Sequence, residues 1–353
     1  MNIATTPMHP SVARIRSLQP VHRLLKADRI AHMNGRYIGL TRDDDLAYSL
    51  DAMETSIAVS EIEKFSAPDK RRIVAVLGES GAGKTTALFE HINQRPAMLP
   101  YLDEDDNEFD PVLSILAPSP NTPLRFAMEC IHGLQVPIRK KLDENEAWDV
   151  LRGALKARRI HWILVDEAQH AIDTANVIEI TKIANAFKNL VQMPDWPVRL
   201  ILAGVEPLGT FLTMKQLTNR HTVVHFEKMK DDVGLANVKH AAKTIITQHA
   251  SLRSALPDDE EFISRLAHAA DHDFGTATQI VRAATEKAIW NDDAVVSDEH
   301  FKEAYRHFSG CTPLENIFSV AHWKEITPRL AKLRAADLLW QKAHPRQREV
   351  FGL

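Results

Sequence analysis

Cysteine is nearly absent from this chain: 353 residues carry only Cys130 and Cys311. Two thiols far apart exclude a disulfide-stapled scaffold and a cysteine-based zinc site, and they point to a reducing, cytoplasmic compartment. The 17 histidines offer no ligand spacing that would hold a metal. The opening Met1-Asn2-Ile3-Ala4-Thr5-Thr6 lacks the apolar core of a signal peptide, and no run is long and apolar enough to span a bilayer. No membrane partner is therefore expected. An excess of one charge is missing too. The formal net charge of −4 builds in no global attraction to nucleic acid, although a local basic surface suffices for DNA. Internal repeats and low-complexity tracts are absent. What remains, 44% hydrophobic and 25% charged residues, is the composition of a soluble globular protein with room for two or three packed units.

Residues 1–40 mix prolines with basic residues and little periodicity, and read as an N-terminal arm that a partner would order. Thr41 reads as a helix cap, with Asp43 to Asp45 in the first turn and Leu46, Leu50 and Met53 on one face. Five apolar runs then read as strands: 73–77, 111–116, 162–165, 198–203 and 223–226. Helical spacing fills the gaps, including a start signal at Thr122-Pro123 and a helix bearing Trp148, Leu151 and Leu155. Strands alternating with helices predict an α/β fold, a parallel sheet flanked by helices, over 41–233. From 234 to 310 the pattern is helical only, which predicts an all-helical lid. Trp148, Trp162 and Trp290 read as core residues.

The richest motif is Gly78-Glu79-Ser80-Gly81-Ala82-Gly83-Lys84-Thr85, directly after the run Ile73–Leu77 and followed by Thr86. In that setting the glycines let backbone N–H groups turn inward around phosphates, and the next helix presents its positive end to them. Lys84 would reach the β- and γ-phosphates, and the Thr85 hydroxyl would ligate Mg²⁺. The expected ligands are ATP and Mg²⁺. The third strand ends in Asp166-Glu167. In open parallel sheets ligands sit beyond the strands' C-terminal edge, so this pair can face the phosphate loop. Asp166 would hold the metal, and Glu167 would take a proton from the attacking water. Alone, such a pair reads rather as a solvated turn, and the phosphate loop upstream reverses that reading. Arg220, just before the fifth strand, reads either as a surface arginine or as a finger that completes a neighbouring copy's site.

These residues resemble the AAA+ ATPases and, within them, the transposition regulators TniB and TnsC. The likeness is carried by 78–85, by Ile163-Leu164-Val165-Asp166-Glu167-Ala168-Gln169-His170, by Leu200-Ile201-Leu202-Ala203-Gly204 and by Gln216-Leu217-Thr218-Asn219-Arg220. The resemblance implies an ATPase that assembles with ATP into rings or helical filaments on double-stranded DNA. It also implies a transposase and a target-selection protein as partners, disassembly on hydrolysis, and the finger role for Arg220. Two positions depart from the family pattern. The fourth strand ends in Ala203-Gly204-Val205-Glu206, so the sensor role either falls to Glu206 or is absent, and Thr278 stands where a lid sensor arginine would be, with Arg282 one turn on as a candidate substitute.

Arg139-Lys140-Lys141, and secondarily Arg125, fall where the resembled family contacts the DNA backbone; a solvated surface is the other reading of such a cluster. Residues 311–353 read as a basic amphipathic tail, starting a helix at Thr327-Pro328, that docks on a partner or packs on its own lid. Two alternatives share the core: a secretion or pilus ATPase resembling the ExeA group, and an NTPase signalling switch. The lack of a membrane span argues against the first, and Glu167 with Arg220 against the second.

Overall fold

A computed structural model describes residues 9–59, 70–119, 121–172, 177–257 and 260–328. The chain forms two units, one comprising Gly39–Lys228 and the other joining the N-terminal segment through Ile38 to Met229 and beyond. The described part of the expected arm is thus not an isolated arm. It forms helices α1 (Pro10–Ser17) and α2 (Val21–Asn34). α2 buries Ile30 and Met33. Its cations then donate to main-chain carbonyls of the same unit: Lys26 to Trp290 at 2.9 Å, Arg29 to Ala250, and Arg36, just beyond, to Gln248 at 2.9 Å.

The α/β unit opens with α3 (Arg42–Ala58). Leu46, Leu50 and Met53 are buried as their spacing predicts. The cap differs from expectation: Thr41 makes no side-chain bond, and the buried Asp43 carboxylate accepts the Leu40 N–H instead. The chain continues through β1 (Ile73–Leu77), α4 (Lys84–Asn93), a short hairpin β2 (Tyr101–Leu102) and β3 (Glu108–Phe109), then β4 (Val112–Leu116), α5 (Pro123–Gly133) and α6 (Glu144–Ala157). After these come β5 (Trp162–Asp166), α7 (Val177–Leu190), β6 (Arg199–Gly204), α8 (Leu208–Leu212) and β7 (His221–His225). Thr122 caps α5 as predicted, accepting from the Arg125 N–H at 3.2 Å with Pro123 in the first turn.

Five strands form one parallel sheet in the order β4-β5-β6-β1-β7. β1 and β6 are buried at every residue, because central strands covered on both faces must be apolar throughout, whereas edge strand β4 alternates. Arg199 is the exception inside β6. Its buried guanidinium is satisfied by the Ser56 hydroxyl at 2.7 Å and the Ser56 carbonyl at 2.9 Å, which ties α3 to the sheet. The register aligns Leu77 with Gly204 and Leu116 with Asp166, so the strands' C-terminal ends share one edge.

The second unit adds α9 (Asp232–Thr244), which runs on in one π turn to His249, then β8 (Arg253–Ser254), α10 (Glu260–Ala269), α11 (Phe274–Asn291), β9 (Val295–Val296) and α12 (Asp298–Ser309). It is helical apart from the two-residue pairing of β8 with β9. Trp148 and Trp162 are buried, but Trp290 is only partly so. Its indole N–H donates to Glu286 at 3.0 Å, and the Arg23 guanidinium lies over its ring. Residues 311–328 pack on this unit through buried Ile317, Phe318 and Trp323. Arg265 donates to the Ile317 and Val320 carbonyls, each at 2.9 Å, and His268 bonds the Ile326 carbonyl at 2.7 Å. The tail helix expected from Thr327-Pro328 lies outside the described residues. Among the described residues no helix is long and apolar enough to cross a membrane.

Candidate active site

The loop after β1 is built for close backbone turns. Gly81 and Gly83 both hold φ near +90°, a region that side chains disfavour, and Gly83 leads directly into α4. Lys84 is buried at the first position of that helix, and its ammonium donates to the Gly78 carbonyl at 2.7 Å and the Glu79 carbonyl at 3.0 Å. The lysine therefore spans the loop from its helical end to its strand end. Glu79, Ser80 and Thr86 are exposed, and Ala82 is buried. The Ala82 carbonyl accepts from Arg42 at 2.8 Å, while that guanidinium sits over the Phe226 ring at 4.1 Å. Sequence reading did not single out Arg42, since nothing in its local pattern marks a contact forty residues on.

Asp166 ends β5 beside this loop. Its Oδ2 accepts the Thr85 hydroxyl at 2.8 Å, and its Oδ1 accepts the Glu167 N–H at 2.9 Å. Two distant motifs thus meet at a hydroxyl and a carboxylate. Hard oxygens of this kind suit Mg²⁺, which takes one or two protein ligands and fills its shell with water and phosphate oxygens.

Glu167 adopts a left-handed backbone, φ 52° and ψ 40°, which a non-glycine residue rarely does. The turn places its carboxylate against Gln169, whose Nε2 donates to Glu167 Oε2 at 2.5 Å. Gln169 is buried, and its Oε1 accepts the Val205 N–H at 3.2 Å, just past β6. The sensor expected of Glu206 is directed elsewhere. Its carboxylate accepts from the Thr210 N–H at 3.3 Å and lies 3.4 Å from that residue's hydroxyl, within the first turns of α8.

Arg220 does not join this group. Its carbonyl accepts the Ile73 N–H at 2.9 Å, which places it at the sheet edge opposite the phosphate loop, roughly 15 Å away along the strands at about 3.3 Å per residue. One guanidinium nitrogen donates to the Gln216 carbonyl at 2.9 Å, and Nε is buried without a partner. Arg139, Lys140 and Lys141 are all exposed between α5 and α6. Lys140 is engaged by Glu146 at 2.6 Å, a contact that raises its pKa. Arg125 is exposed in the first turn of α5. Arg282, on α11, donates to the Arg36 carbonyl at 2.7 Å, and burial lowers its pKa.

Residues 68–212 match a family described as AAA domain. Among solved structures the chain is similar to Cdc6p from Pyrobaculum aerophilum, at 15% identity over 75% of this chain and 70% of that one, with a TM-score of 0.46. It is similar to the ORC1 protein of Aeropyrum pernix in complex with DNA, at 16% identity over 75% and 65%, with a TM-score of 0.49. It is also similar to the ORC2 protein of Aeropyrum pernix in ADPNP and ADP complexes, at 9% identity over 76% and 71%, with a TM-score of 0.51. No curated protein matches. The domain match and the ORC2 likeness establish a P-loop AAA+ fold, a parallel sheet flanked by helices and followed by a helical region.

Proposed function

We propose that this chain is an ATPase that assembles head-to-tail on double-stranded DNA and regulates transposition. The observation that carries the enzymatic part is the 2.8 Å bond between Thr85 and Asp166, which joins the phosphate loop to the strand-end acids. Lys84 exchanges its carbonyl partners for the β- and γ-phosphates, and the α4 N-terminus adds its partial positive charge. Thr85 and Asp166 would hold Mg²⁺, whose charge would offset negative charge on the phosphate oxygens. Glu167, next to but distinct from the metal ligands, accepts the proton of the attacking water.

Assembly is supported by the position of Arg220. An arginine at the far edge of its own sheet serves a phosphate only on another copy, and a head-to-tail contact gives a closed ring or an open helix according to the rotation per subunit. The DNA, transposase and target-selection partners rest on the motif resemblance, with exposed Arg139 and Lys141 as the phosphate contacts. Lys84→Ala tests the reading at its base. Nucleotide binding should fall below detection in a direct titration, and electron microscopy with duplex DNA and a slowly hydrolysed ATP analogue should show assemblies for the wild type alone. Undiminished ATP affinity in the variant would remove the assignment.

A further inference from the structure

The amide of Gln169 sits where a catalytic carboxylate, the end of a strand and the phosphate loop come together. The Val205 N–H can only donate, so the amide oxygen must face it, at 3.2 Å. That leaves the NH₂ group toward Glu167 Oε2, at 2.5 Å. Gln169 is 6% exposed, so neither bond is readily replaced by water. Gly204 makes the fit possible: a Cβ at that position would stand 2.6 Å from the Gln169 amide oxygen. The Gly204 carbonyl in turn accepts the N–H of Gly78, the first residue of the phosphate loop, at 3.2 Å.

We infer that Gln169 is a positioning residue that fixes the Glu167 carboxylate relative to the phosphate loop, through Val205 and Gly204 at the end of β6. The inference rests on the reading of Glu167 as general base. Donation to Oε2 occupies one carboxylate oxygen and leaves Oε1 for the proton. It also fixes the carboxylate's direction, and a displacement of about 1 Å in such a group costs about 100-fold in rate. Position 169 thereby takes the part of a polar group on the strand end itself, where the chain has only Ala203, Gly204 and Val205.

Gln169→Glu is the informative substitution, because it keeps length and the acceptor for Val205 but replaces the donor with a second carboxylate. Two carboxylates at this distance repel, so Glu167 would lose its fixed direction. In ATPase assays of the full-length protein with duplex DNA, kcat should fall about tenfold or more, while ATP affinity stays within about twofold. Gln169→Met, of similar volume, loses both bonds and should lower kcat about tenfold or more at unchanged affinity. It covers the case in which the charged variant fails to fold, as judged by thermal melting. If both variants keep the wild-type kcat while Glu167→Gln is inactive, the inference is wrong and the base reading stands. Loss of ATP affinity in step with kcat would likewise overturn it, by making Gln169 a structural residue. A Glu167→Gln variant with wild-type turnover would remove the base reading itself.

Discussion

Glu167→Gln separates binding from chemistry, because its neighbours leave nucleotide contacts intact. Asp166 keeps the Thr85 hydroxyl at 2.8 Å, and its other oxygen still accepts the N–H of residue 167, a main-chain bond indifferent to the substitution. Lys84 keeps its place in the loop. The new amide can turn its oxygen toward Gln169 Nε2, so the local packing is preserved. Only proton acceptance is lost. A positioned general base contributes about 10²–10⁴-fold, so kcat should fall by that factor, which is about 3–5 kcal/mol in activation free energy. Phosphate release measured at saturating ATP gives kcat, and a fluorescent-nucleotide titration gives Kd, expected within about twofold of wild type. DNA-bound assemblies should also outlive those of the wild type in ATP. A kcat within tenfold of wild type, or a Kd weakened in proportion to the rate, would refute the assignment of base and ligand to adjacent residues.

Neutralising Arg139, Lys140 and Lys141 to glutamine should weaken DNA binding about equally for all sequences. Because Lys140 is already engaged by Glu146, two contacts are expected to be lost, which flattens log affinity against log salt by about 0.9 each; an unchanged slope returns the loop to a solvated surface. His161 gives a pH prediction. Burial holds its pKa below the ordinary 6.5 in a site where it bonds the Pro197 carbonyl and stacks on Trp196. The folded chain therefore binds fewer protons than the unfolded one, and stability is full above about pH 6.5 and declines as pH falls through the lowered folded value. Denaturant titrations at about pH 7.5 and about pH 5 should show a smaller acid loss in His161→Phe than in wild type. His249, shifted the same way by burial, supplies part of the remainder.

The sheet was legible because β1, β5 and β6 lie between layers and must be apolar almost throughout, so they read as uninterrupted runs that end at the phosphate loop and at Asp166. The alternation with helices implies a shared C-terminal edge, which brings Lys84 and Asp166 together on the sequence alone. Docking of α2 on the C-terminal helices left no such trace. Its contacts run from Lys26, Arg29 and Arg36 to main-chain carbonyls, and an acceptor that every residue owns has no sequence signature. Asp43 stands in the first turn of α3 as its position predicts, and only the fold shows that this one of three consecutive acids turns inward to bond Leu40. Gln169 stands in the motif two residues after Glu167, yet its contacts need the turn at Glu167 and the missing Cβ of Gly204, which lie at the ends of different strands.

Completion of one copy's site by another is tested most directly by mixing two inactive variants. Arg220→Ala should keep nucleotide binding, since residue 220 lies at the sheet edge remote from its own phosphate loop, and should lose hydrolysis. Glu167→Gln keeps its arginine and lacks its base. In mixed assemblies on DNA, some interfaces pair an intact Glu167 on the Arg220→Ala copy with an intact Arg220 from the other. ATP turnover of the mixture is predicted to exceed the sum of the two variants measured alone. Turnover equal to that sum, in mixtures shown by differential labelling to contain both variants in one assembly, would contradict a shared site.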